Sequence, residues 1–89
     1  MKIWRISQNV NNNWNTYDSA VVFADTEQDA RMTHPSYYEF GEEGEIWDGK
    51  HRDYGRWCNA KDVIVEYLGV TDREVANKTV ICASFNTGL

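Results

Sequence analysis

The chain is short of the residue types that most often build a catalytic or metal site. Its 89 residues include only two cysteines, Cys58 and Cys82, far apart and in no C-x-x-C pattern. That removes the paired-cysteine signatures of zinc and redox motifs. It points to two reduced thiols in a cytoplasmic protein, a disulfide between them being the other arrangement. His34 and His51 are the only imidazoles. Metal sites need several His, Cys or carboxylate ligands converging, so neither a metal nor a cofactor is expected. No stretch approaches the ~20 apolar residues that a membrane span needs. Residues 1–7 carry two charges and no apolar run, and are expected to form a strand rather than a signal peptide. Nine Lys and Arg stand against fourteen Asp and Glu, a net charge of −5. That balance opposes non-specific nucleic-acid binding, whose affinity comes from neutralising phosphates. It leaves open a small phosphorylated ligand, which needs only a local cluster of donors.

There are no repeats, no low-complexity tract and no internal linker, so residues 1–89 are expected to be one domain. A chain this short buries roughly 60–65% of its unfolded surface, and its stability is correspondingly modest. Twelve aromatic residues offset part of that, because each ring buries a large area when enclosed. Homo-oligomerisation is a second route to a larger core.

Local patterns give the order of elements. Residues 2–8 alternate Ile3, Arg5, Ser7 against Trp4, Ile6, Gln8, which predicts a first strand with Trp4 and Ile6 buried. The Asn-rich residues 9–18 predict a polar loop holding Trp14 and Tyr17. The apolar run 19–24 predicts a central strand covered on both faces. Asp25 or Thr26 then opens a helix, each followed three residues later by Gln28 or Asp29, an approximate capping box. Pro35 disfavours helical geometry at His34, which sets the helix end near Thr33 and makes Ala30 its inward contact. Residues 57–62 suit one helical turn. Residues 63–69 and 79–85 read as third and fourth strands. The expected fold is α+β: a four-stranded, mainly antiparallel sheet in the order β-β-α-loop-β-β, with one short helix on one face.

Six of the twelve aromatics fall in residues 37–57, which show no clear period: Tyr37, Tyr38, Phe40, Trp47, Tyr54 and Trp57. Glu39, Glu42, Glu43, Glu45 and Asp48 come first, then Lys50, His51, Arg52 and Arg56. Loops longer than about 12–15 residues are usually functional or disordered, and disordered segments are poor in aromatics. The segment is therefore expected to carry recognition. Within it Asp48-Gly49 predicts a small projecting hairpin or tight turn.

Several fragments resemble a family of small uncharacterised proteins of bacteria and their phages. They are residues 2–8 (KIWRISQ), 17–22 (YDSAVV), Ala30-Arg31 with His34-Pro35, Trp57, and 82–88 (CASFNTG). The resemblance spans most of the chain. The family has no established activity, so the resemblance carries over no catalytic residue and implies only a cytoplasmic setting and a phage or prophage origin. Residues 37–54 are where relatives are expected to differ.

The site expectation follows from these readings. Trp47, Lys50, His51, Arg52, Tyr54, Arg56 and Trp57, with Trp14 from the first loop, form a mixed basic and aromatic set. Such a set stacks a base and clamps a phosphate, or serves as a protein-binding hot spot. The competing arrangement folds these rings onto the sheet as a satellite core. A Cys58, His51, Asp53 constellation is formally available for nucleophilic catalysis, and a small enzyme acting on a phosphorylated substrate would use His51. The expectation is nevertheless a non-enzymatic binding protein that inhibits or sequesters a host component through residues 37–57. The alternative is an oligomeric sponge for a small nucleotide-like ligand.

Overall fold

The computed structural model describes residues 1–36, 47–50 and 56–86. Four strands and one helix form an α+β fold: β1 (Lys2–Ser7), β2 (Thr16–Ala24), α1 (Glu27–Arg31), β3 (Ile64–Val70) and β4 (Thr79–Asn86). A single 3-10 turn, Ala60–Asp62, precedes β3. The sheet order is β3-β1-β2-β4, antiparallel throughout. Among the described residues β1 and β2 are therefore the inner strands and β3 and β4 the edges.

The alternation read in β1 is the observed one. Trp4 and Ile6 are buried, while Lys2 and Arg5 are exposed. The Trp4 indole N–H donates to Ala24 O at 3.0 Å, and its ring meets Tyr67 edge-on at 5.2 Å. β2 starts at Thr16, so Tyr17 belongs to a strand and not to the polar loop. β2 is central in the sheet, as expected, but its burial alternates. Ala20, Val22 and Ala24 enter the core, while Ser19, Val21 and Phe23 stay half-exposed on the face that no helix among the described residues covers.

α1 is shorter than its pattern suggested. Thr26 caps it, its hydroxyl accepting from Asp29 N at 3.1 Å. Glu27 and Asp29 occupy the first turn, where the helix dipole favours negative charge. The helix stops at Arg31 rather than Thr33. The Thr33 hydroxyl donates back to Asp29 O at 2.7 Å and its N–H to Ala30 O at 3.1 Å. Those bonds use the carbonyls that another helical turn would need. Arg31 ties the helix to the chain before β3 by donating to Val63 O and, at 3.4 Å, to Ala60 O. Packing, not length, thus holds a helix too short to stand alone.

The core gathers on the helix side of the sheet: Trp4, Ile6, Ala20, Val22, Ala24, Ala30, Trp47, Trp57, Cys58, Ala60 and Val63. Two of these come from the aromatic segment. Residues 47–50 form a tight turn that packs against the 3-10 turn, with Ala60 N donating to Gly49 O at 2.7 Å. Gly49 has φ +83, whereas Asp48 does not take positive φ. The two-glycine-like geometry of a type I′ hairpin is therefore absent. The Asp48 carboxylate instead accepts from Lys50 N at 3.0 Å. The hairpin's expected flanks, Ile46 and His51, lie outside the described residues. Among the described residues no helix is long and apolar enough to cross a membrane.

Candidate functional site

One side chain organises the end of the molecule where the first loop lies. Gln8 is buried at 6% exposure, directly after β1. Its amide nitrogen donates to Asn11 O at 2.7 Å and Tyr17 O at 2.9 Å. Its amide oxygen accepts from Val10 N at 2.9 Å and Asn11 N at 2.7 Å. A buried amide with both ends satisfied converts a polar loop into a fixed one. Further along, the Thr16 hydroxyl donates to Asn13 O at 2.6 Å, and Asn15 sits at φ +62. Asparagine tolerates that left-handed geometry better than most residues.

The fixed loop meets the late part of the aromatic segment. Asn11 Nδ2 donates to Trp57 O at 2.9 Å, and Tyr17 N to Arg56 O at 2.7 Å. The junction leaves an open groove of about 320 Å³ lined by Val10, Asn11, Trp57, Cys58, Asn59 and Asp62. That volume is at the lower end of small-molecule sites. The lining is mainly polar, with Asp62 supplying negative charge, so an anion inside it would be repelled.

The expected site residues divide. Trp14 is 74% exposed, and Lys50 and Arg56 are exposed. Trp47 and Trp57 are core residues, at 2% and 1% exposure. The Trp47 indole donates to Lys50 O at 2.7 Å, and its ring meets His34 edge-on at 5.3 Å. His34 Nδ1 accepts from Ser36 N at 2.9 Å. These two tryptophans are packed as the satellite-core arrangement expects, with almost no ring surface exposed, Trp57 forming part of the groove wall. The reason is apolar area, since a ring of this size gains more from enclosure than from solvent. His51, Arg52 and Tyr54 lie outside the described residues.

Cys58 is 2% exposed, and burial pushes its thiol up from 9.0 to about 11, with the Asp62 carboxylate adding in the same direction. A thiol held protonated is a poor nucleophile. Its expected partners His51 and Asp53 lie outside the described residues. The Trp57 indole N–H is buried and has no hydrogen-bond partner among the described residues; a buried donor left unpaired costs about 1–3 kcal/mol. Among the described residues no three His, Cys, Asp or Glu side chains gather where a metal ion could be held.

Sequence reasoning missed Val10, Asn59 and Asp62 as lining residues, and nothing local marks them. Asn11 was marked only as part of an Asn-rich loop. The signal that could have singled out this end is Gln8, a polar residue on the buried parity of β1. No family model matches the chain, and no curated protein and no solved structure is significantly similar to it.

Proposed function

We propose that this chain is a non-enzymatic binding protein, phage-encoded, that holds a host defence component in check. The observation that carries the reading is the junction of the 9–15 loop with residues 56–59. Two segments far apart in sequence are pinned together there by Asn11 and Tyr17. They present exposed Val10, Trp14 and Arg56 on a buried support of Trp57 and Gln8. Trp and Arg on a rigid base are the usual makings of a hot spot. The recognising surface is thus narrower than residues 37–57, since Trp47 and Trp57 support it from below.

The groove favours a second reading, a sponge for a small nucleotide-like ligand. Its Asp62 carboxylate suits the donors of a base or sugar. Asp62 opposes a phosphate inside, so any phosphate would have to turn toward a cation such as Arg56. The Trp57 N–H, without a partner among the described residues, is a donor that a small outward shift of the ring would offer.

Two experiments separate these readings. Under the protein-partner reading, immobilised wild-type chain retains one host protein, and Trp14→Ala with Arg56→Ala releases it while melting stays unchanged. Under the ligand reading, a nucleotide panel raises the melting temperature, and Asp62→Leu abolishes the rise. Failure of both, at high protein concentration, removes binding as the function.

A further inference from the structure

Two residues that line the groove carry polar groups that the described residues leave unused. Asp62 closes the turn after Trp57 through its backbone, its N–H donating to Asn59 O at 2.9 Å. Its half-buried carboxylate makes no hydrogen bond and no ion pair among the described residues. Trp57 lines the same groove, and its buried indole N–H has no partner among the described residues. The two residues are near neighbours in sequence, and the Asp62 charge is felt at the Cys58 thiol between them. A sheltered acceptor and a buried donor at one cavity are groups that a bound ligand would satisfy.

Together they restrict the ligand's chemistry. A carboxylate only accepts, and two parallel N–H donors match it best. An indole N–H only donates. The edge that meets both carries an acceptor beside two adjacent N–H groups. A phosphate offers acceptors alone and is repelled by Asp62. A guanidinium or ammonium group offers donors alone, and would leave the Trp57 N–H buried and unpaired. Adenine and cytosine each place one amino group beside an acceptor, which leaves half of the carboxylate idle. Among the common nucleobases, guanine sets its O6 acceptor beside the N1–H and the N2 amino group.

We infer that the groove selects guanine, whose N1–H and N2 amino group donate to the Asp62 carboxylate while its O6 accepts from the Trp57 indole N–H. The indole reaches O6 by the small outward shift described above. A groove of about 320 Å³ has room for a purine, and the sugar and any phosphate leave through its open side. The inference rests on the ligand reading above and names the base that this site would take.

The test is calorimetric titration of the intact chain with guanosine, inosine, adenosine and N-acetylarginine amide. Guanosine should bind tightest. Inosine lacks only the N2 amino group and should bind about tenfold more weakly, the loss of one arm of a bidentate contact. Adenosine and the arginine amide should bind more weakly still. Asp62→Asn exchanges one acceptor for a donor and should weaken guanosine at least about tenfold, with the melting temperature of the free chain unchanged. Inosine or adenosine binding as tightly as guanosine overturns the base assignment and leaves the ligand reading standing. No binding by any nucleoside or nucleotide overturns both. Guanosine affinity unchanged in Asp62→Asn overturns the inference, as does binding of the arginine amide in place of guanosine. Should Asp62→Asn fail to fold, the Trp57 indole proton resonance of the wild-type chain decides. Its movement in step with guanosine occupancy supports the contact, and a fixed resonance overturns it.

Discussion

The Asn11 side-chain amide donates to the Trp57 carbonyl at 2.9 Å, across 46 positions of sequence. It joins the Asn-rich loop to the end of the aromatic segment, and the groove exists because the two are joined. Asn11→Ala removes the donor and leaves a part-buried carbonyl unpaired. The expected cost is about 1 kcal/mol, in line with a single net hydrogen bond. Urea unfolding measures it, and faster amide exchange confined to residues 9–15 locates it. Equal stability and unchanged exchange would show that Gln8 alone holds the loop.

Trp47 and Trp14 are predicted to respond in opposite ways. Trp47→Ala empties a buried ring site and should destabilise by about 3–5 kcal/mol. In a domain of this size that brings the chain close to unfolding. Trp14→Ala changes a ring exposed to solvent and should alter stability by no more than about 0.5 kcal/mol. Chemical denaturation of both variants is the check. A fully stable Trp47→Ala protein would contradict its placement in the core.

Gly49 is predicted to be hard to replace. Its φ is +83, and a Cβ there would lie 3.1 Å from Met32 Cε and 3.2 Å from Ala60 Cβ. Gly49→Ala therefore meets backbone strain and crowding together, with the strain alone costing about 1–3 kcal/mol. The melting temperature should fall, and Met32→Ala in the same chain should recover part of the loss by freeing space. No recovery would assign the whole penalty to the backbone.

The two thiols should react differently. Cys82 is exposed and Cys58 buried, so a thiol reagent at pH 8 should modify one equivalent quickly and the second only on unfolding. For Cys58 the folded state keeps its proton up to about pH 11, against 9.0 as its ordinary value. Between those values the unfolded chain binds fewer protons, so stability falls as pH rises. The loss at pH 10 is about 1 kcal/mol as an order of magnitude. Cys58→Ser should flatten this part of the pH profile. A profile equally steep in that variant would place the effect elsewhere.

The fold was readable from local patterns, the site largely was not. β1 and its buried pair follow from alternation, β4 from β-branched and aromatic content, and α1 from the Thr26 cap and the acids behind it. The end of α1 was misplaced by two residues because the competing bonds of Thr33 are specific to its turn. The aromatic segment was readable as unusual, with its rings either on the surface or folded in as a satellite core; which of the two holds for Trp47 and Trp57 was not readable. Trp47 and Trp57 belong to one core cluster with Trp4, Ile6, Ala20, Val22 and Ala30, all far from them in sequence, and no window around either ring contains that information.

By itself the amino-acid order determined which stretches extend, which one coils and where the chain turns. Those outcomes depend on φ preferences, caps and side-chain period within a few residues. Only the tertiary structure decided that two of the rings are foundation and not surface, that Asn11 reaches Trp57, and that Val10 and Asp62 line one groove. Each of these depends on which distant segments share the limited interior of a small domain, a property of the packed whole.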